Sequence, residues 1–254
     1  MKNSFWIIIP FLIALLCSYS FTISKHHSTE KMIDKQGFAV IELFTSEGCS
    51  SCPPAEETVA EIQNSYRAKN VLVLSYHVDY WDNSGWKDPY SSADFTQRQQ
   101  YYAGIFNLNS IYTPQAVVNG KKEFVGSERD KLISETDKAL QETAEETIQL
   151  NAKETSAGKI DITYSVTRKL SADEQVLLLL IQKTASGKIK RGENEGKTLQ
   201  HINIVRDIIY SALPAKTNAL LLPAGLKKED FFSAALLQNK TSGKIYGLVI
   251  SPVN

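Results

Sequence analysis

The stretch Ala39-Val40-Ile41-Glu42-Leu43-Phe44-Thr45-Ser46-Glu47-Gly48-Cys49-Ser50-Ser51-Cys52-Pro53-Pro54 decides how this chain folds. Its first six residues are an apolar run broken only by Glu42, which is a strand signal. Residues 45–48 read as a turn, and two cysteines two residues apart follow. Pro53-Pro54 suit the first turn of a helix, where the missing N–H is not needed. Val59, Ile62 and Tyr66 then repeat at helical spacing, to an end near Asn70. Residues 71–76 are a continuous apolar run, the pattern of a strand buried on both faces. The order is therefore strand, CxxC, helix, strand.

A βαβ unit around a CxxC is the core of a thioredoxin-like reading. The next segments extend it. Ser91-Ser92-Ala93-Asp94 resembles a capping box, and Phe95, Tyr102 and Phe106 share a face of the helix it would open. Residues 112–120 read as a strand opened by Pro114 and closed by a hairpin turn at Asn119-Gly120, with the return strand at 122–125. A second capping box at residues 127–130 would open an amphipathic helix to about Thr147. Beyond it the character changes. Residues 160–166, 176–182, 202–210, 219–222 and 245–250 look like strands between glycine and lysine turns, while 231–237 fits a helix or a strand. The expected fold is α/β: a thioredoxin-like domain over 37–147 with a central mixed sheet and a helical insertion, then a β-rich, sandwich-like domain over 148–254.

The N-terminus sets the compartment. Lys2, an apolar stretch from Phe5 to Cys17 and Ser18-Tyr19-Ser20 have the anatomy of a secretory signal peptide. The expectation is a signal peptide or N-terminal anchor over 1–24 and a polar linker over 25–36, hence a periplasmic or secreted protein that meets a membrane only through an uncleaved leader. With 28 basic and 28 acidic residues the chain carries no basic tract for nucleic acid. Of its three cysteines, Cys17 lies in the leader, so Cys49 and Cys52 have only each other. Such a pair can form a disulfide, exchange thiols, or supply half of a metal site. The loop it would close is too short to stabilise the fold much, which weakens a purely structural role.

Exchange needs a thiolate, and a helix N-terminus favours one at Cys49. Cys52, one turn on, is then the resolving thiol. Thr113-Pro114 is expected to be cis and to face the pair, as the equivalent proline does in the thioredoxin superfamily, with Tyr112 and Thr113 beside a bound peptide. Glu42, an acid inside an apolar strand, is either outward-facing or a proton relay to Cys52. His77, Asp79 and Trp81 follow the second strand, where α/β sites gather, and would form a substrate rim. His77 with both thiols leaves an incomplete ligand set, so no metal and no cofactor is expected. His201, near Asn203 and Arg206, reads as a structural or interface residue.

The residues ELFTSEGCSSCPPA from Glu42 to Ala55, together with His77-Val78-Asp79-Tyr80-Trp81-Asp82, Gly85-Trp86-Lys87-Asp88-Pro89, Tyr112-Thr113-Pro114-Gln115 and Gly192-Glu193-Asn194 with His201 and Arg206, resemble the signature of a secreted bacterial family known only as domain of unknown function 1223. The resemblance covers both halves of the chain. It implies a thioredoxin-like N-terminal part with a β-rich extension, and it hints that the 192–206 run packs near the CxxC. Lys197 stands where similar sequences carry arginine. The function expected is an extracytoplasmic thiol–disulfide oxidoreductase-like protein acting on protein or peptide thiols. The alternatives are a binding module with a structural disulfide and a copper or zinc carrier.

Overall fold

The computed structural model describes residues 37–254, apart from 84, 145, 157 and 212–216; the leader and most of the linker expected from the sequence lie outside the described residues. Strand β1 (Ala39–Thr45) is buried along its whole length, as is β2 (Val71–His77), which runs parallel to it. Helix α1 (Pro53–Ser65) joins them. A short helical turn at Asp79–Trp81 and helix α2 (Ala93–Phe106) come next. The hairpin β3 (Gln115–Val118) and β4 (Lys122–Val125) follows, then helix α3 (Arg129–Gln141).

Among its described residues the second half is strand and loop, apart from a short helical turn at Lys228–Asp230. It comprises β5 (Ile148–Ser156), β6 (Lys159–Val166), β7 (Glu174–Lys188), β8 (Thr198–Ser211), β9 (Asn218–Leu221), β10 (Phe231–Asn239) and β11 (Ile245–Pro252). The expected sandwich is only partly what forms. Strands β7, β8, β10 and β11 extend the first sheet, in the order β11-β10-β7-β8-β2-β1-β3-β4, and only β5, β6 and β9 make a second sheet. The reason is written in residues 176–181, Val-Leu-Leu-Leu-Leu-Ile. A strand apolar on both sides needs cover on both sides. Leu177, Leu179 and Ile181 face the same core as Val40, Phe44, Tyr76 and the α2 residues Phe95 and Tyr102. Leu178 and Leu180 face the opposite way, into the core shared with Ile148, Leu150, Ile160 and Ile162 of the small sheet. Helices α1 and α3 cover the back of β1 and β3 through Ile41, Leu43, Val59 and Leu132.

Element ends shift by local causes. The cap of α2 is Ser92, whose Oγ accepts the Asp94 N–H at 3.2 Å, rather than Ser91. The box expected at 127–130 does not form, because α3 starts from Glu128 without a side-chain cap. That helix also stops at Gln141, ahead of β5.

The large sheet curls until its far end meets the β3–β4 turn. The Ile245 N–H donates to the Asn119 carbonyl at 2.9 Å. Asn119 itself is buried; its Oδ1 accepts the Val40 N–H at 2.7 Å and its Nδ2 donates to the Phe38 carbonyl at 3.0 Å. Gly120 has φ +63°, and a Cβ there would lie 1.9 Å from the Gly243 carbonyl oxygen. Left-handed strain costs ~1–2 kcal/mol and the backbone clash adds to it, so Gly120→Ala is expected to lose more than ~3 kcal/mol in urea unfolding. Gly196→Ala, at φ +82° with nothing within 4 Å, should lose only the strain.

Candidate functional site

Parallel pairing of β1 and β2 sets Thr45 beside His77 at one end of the sheet, and the CxxC starts from that end. The turn after β1 is held by the Gly48 N–H to Ser46 Oγ (3.0 Å) and the Cys49 N–H to the Ser46 carbonyl (3.2 Å). Cys49 and Cys52 form a disulfide, with Cys52 as the N-cap of α1 and prolines opening the helix. Both cysteines are buried beneath exposed Ser50 and Ser51, and Ser51 Oγ lies 3.3 Å from Cys49 Sγ.

The 192–197 loop closes over this turn. Asn194 Nδ2 donates to the carbonyls of both Glu47 and Cys49 at 2.9 Å. Glu193 Oε2 accepts the Ser50 N–H at 3.0 Å, and hydrogen bonds from Ser50 hold the Glu193 carboxyl below its usual range. Lys197 Nζ donates to Asn194 Oδ1 at 2.9 Å and so orients that amide.

The Thr113-Pro114 bond is cis. Antiparallel pairing of Phe44 with Gln115 brings it to the CxxC end of β1. Trp81 connects the two segments. Its indole N–H donates to Thr113 Oγ1 at 2.8 Å, and a Cβ on Gly48 would meet Trp81 Cβ at 3.2 Å. Tyr112 and Asp79 are anchored elsewhere. The Tyr112 hydroxyl donates to Glu123 at 2.6 Å, and Asp79 accepts from Thr96 of α2 at 2.5 Å.

Glu42 is not brought to the cysteines. It is fully buried, but on the opposite face of β1 from α1. Arg98 of α2 holds it bidentately, Nε to Oε1 at 2.7 Å and Nη2 to Oε2 at 2.9 Å, and the Tyr102 hydroxyl donates to Oε2 as well. Burial alone would lower the Arg98 pKa, but Glu42 raises it well above its usual value. Arg98→Met leaves Glu42 buried and uncompensated and is expected to cost ~3–5 kcal/mol in urea unfolding. The double variant Glu42→Leu with Arg98→Met should regain most of that loss.

The acidic machinery near the pair lies instead on the α1 side, and sequence reasoning missed most of it. Glu56 follows Cys52 by one helical turn, and its Oε1 accepts from Thr45 Oγ1 at 2.6 Å. Its Oε2 meets His201 Nδ1 at 2.6 Å, while His201 Nε2 meets Glu47 Oε1 at 3.0 Å. Two ionised carboxylates can only accept, so both ring nitrogens donate and His201 is an imidazolium. Burial would lower its pKa, but hydrogen bonds to Glu47 and Glu56 raise it to about 10. The other Glu47 oxygen takes the Trp86 indole N–H at 2.7 Å.

His77 packs edge-on against His201, with ring centres 4.9 Å apart. Its Nδ1 meets Asp88 Oδ2 at 2.7 Å, the same oxygen that accepts the Glu47 N–H at 2.8 Å. Burial pushes the Asp88 carboxyl up, but His77 and the N–H groups of Glu47 and Tyr90 pull it below its usual value. Arg206 lies over the Tyr90 ring at 5.1 Å at the edge of the cluster. His201 thus sits at the interface of the two halves, and that interface is part of the site. The available signal was its place in the same motif run as Gly192-Glu193-Asn194.

The molecule is a mixed α/β protein whose CxxC disulfide, at the start of a helix, is enclosed by a loop and a strand from the second half. The chain belongs to the family described as Protein of unknown function (DUF1223), whose model matches residues 40–235. A crystal structure of an Agrobacterium tumefaciens protein is 28% identical, with a TM-score of 0.60, and the match covers 87% of this chain and 96% of that one. HBP35 of Porphyromonas gingivalis is similar in fold at 17% identity and a TM-score of 0.53, over 87% of this chain and 76% of that one. No curated protein matches the chain significantly. Among the described residues no helix is long and apolar enough to cross a membrane.

Proposed function

We propose that this protein is an extracytoplasmic, thioredoxin-like thiol–disulfide oxidoreductase acting on protein or peptide thiols. The observation that carries the reading is a disulfide at the N-terminus of α1, on the sheet end that also carries the cis Thr113-Pro114 bond. The strand order β2-β1-β3-β4, with β1 parallel to β2 and antiparallel to β3, supports a thioredoxin-like core. The leader-like N-terminal sequence supports the compartment.

In this reading a partner thiolate attacks Cys49 Sγ. The Cys49–Cys52 bond breaks, Cys52 leaves as a thiolate, and a mixed disulfide forms on Cys49. A second partner thiolate then attacks the partner sulfur of that mixed disulfide and releases Cys49. The partner dithiol loses two electrons and the pair gains them. In the reverse direction Cys49 attacks a partner disulfide and Cys52 resolves the intermediate. The Ser51 hydroxyl, 3.3 Å from Cys49 Sγ, is placed to donate to a Cys49 thiolate. Trp81 and Thr113 would form the wall against which a peptide lies.

Burial of both cysteines favours a second reading, a binding module whose disulfide is structural. Single cysteine variants separate the two. Cys49→Ser should abolish exchange with reduced and oxidised test peptides, and Cys52→Ser should accumulate a mixed disulfide on Cys49. Unchanged exchange in Cys49→Ser, or no trapped adduct in a folded Cys52→Ser protein, contradicts the oxidoreductase reading.

A further inference from the structure

Beside the disulfide, and independent of its chemistry, three buried side chains from three different elements converge. They are Glu56 of α1, His77 at the end of β2 and His201 of β8. One donor atom from each lies within 4.8 Å of the other two. We propose that Glu56, His77 and His201 form a binding site for a zinc-type divalent cation.

The first argument is the orphaned nitrogen of His77. Asp88 takes its Nδ1 at 2.7 Å, and Asp88 also accepts the backbone N–H groups of Glu47 and Tyr90. A carboxylate so occupied holds the His77 proton on Nδ1 and leaves the lone pair on Nε2. That Nε2 is fully buried and has no hydrogen-bond partner among the described residues. A buried polar atom without a partner is costly, and a cation is what a bare imidazole lone pair recognises.

The second argument is the surroundings of the three donors. Metal-bound histidines usually give their other ring N–H to a carboxylate or carbonyl, which fixes the tautomer and the ring orientation. Here each donor already has such a support. Asp88 serves His77, Glu47 Oε1 serves His201 through Nε2 at 3.0 Å, and Thr45 Oγ1 serves Glu56 through Oε1 at 2.6 Å. The atoms left over are His77 Nε2, His201 Nδ1 and Glu56 Oε2. The last two now share one proton-filled contact at 2.6 Å. A cation would take the place of that proton, which leaves the protein. Two imidazoles and one carboxylate are a zinc donor set with the fourth position open, at metal–ligand distances of ~2.0–2.2 Å. Binding requires the three atoms, now within 4.8 Å of one another, to close around the ion.

Charge points the same way. Glu47, Glu56 and Asp88 are three buried acids, set against the His201 imidazolium and the Arg206 guanidinium at the edge. A dication in place of the His201 proton would neutralise the remaining negative charge. The cysteines are not part of the group, so the site differs from a carrier built on Cys49, Cys52 and His77.

The test uses the full chain and Zn²⁺ alone, loaded during expression in zinc-supplemented medium because the site is buried. Elemental analysis after dialysis should find about one zinc per chain, both in the natural sequence and in the Cys49→Ser/Cys52→Ser double variant. Co²⁺ in its place should give the visible absorption of a four-coordinate nitrogen–oxygen site. His77→Ala should lose the stoichiometric metal. Asp88→Asn, which keeps the shape of the site, should weaken Zn²⁺ binding ~10–100-fold with its circular dichroism unchanged, and it carries the test if His77→Ala fails to fold. Absence of zinc from the folded natural protein overturns the proposal. So does zinc that disappears with the cysteines and stays in His77→Ala or in Asp88→Asn at full affinity.

Discussion

The bridge that His201 makes between Glu47 and Glu56 is the interaction on which the two halves of this molecule depend. An ionised carboxylate taken from water without a partner is costly enough to prevent folding or to change its protonation. The first half of the chain buries Glu47 just before the CxxC and Glu56 just after it. Among the described residues, 37–147 supply no cation that meets both. Strand β8 does, by lying parallel to β2 with Ser75 opposite Ile204 and Ser75 Oγ bonded to the Ile202 carbonyl at 3.0 Å. The same docking brings Asn194 to the carbonyls of Glu47 and Cys49. The disulfide turn is therefore shaped from above by the second half as much as from below by α1.

Strand β1 itself carries one buried acid, Glu42, on the face turned away from α1, and the comparison is instructive. Glu42 is met by Arg98 from α2, the helix that stands between β2 and β3 in the chain. That helix also brings Tyr102 to the same carboxylate and Phe95 to the ring of Tyr76. Alternation along one strand sends Glu42 to a bidentate structural pair and Thr45 to Glu56 on the site side. An acid in a strand is thus assigned its role by the face it occupies. Here the face turns Glu42 toward α2, while Glu56 lies on the α1 side with Thr45.

Much of the framework was legible from short-range pattern. The run at 39–44, the prolines after Cys52, the run at 71–76 and Asn119-Gly120 each define an element through periodicity or turn chemistry, and the structure places β1, α1, β2 and the β3–β4 turn there. The cis bond at Thr113-Pro114 was expected by comparison with the thioredoxin superfamily, in its βαβ context, rather than from local pattern alone. The 192–206 run was rightly tied to the CxxC through its motif. What was not legible depends on long-range pairing. Residues 176–181 read as a strand, but no local signal says that β7 adds to the first sheet instead of starting another. Arg98 sits among polar residues of α2 and looks like a solvent-facing cation, yet it is fully buried. His201 read as a structural or interface residue, but its partners Glu47 and Glu56, far away in sequence, could not be named. Glu47 lay inside the motif that opened the reading and Glu56 just past its end, but their side-chain directions follow only once β8 is in place.

We propose the Cys49–Cys52 pair, enclosed by both halves, as a redox centre, and the most direct test is its reduction potential. Equilibrating the full chain in glutathione and dithiothreitol buffers, with the fraction oxidised read by thiol alkylation, measures it. The account predicts a value between about −120 and −270 mV, the span of known thiol–disulfide exchangers. A value well below about −300 mV would mark an inert structural bridge and contradict it.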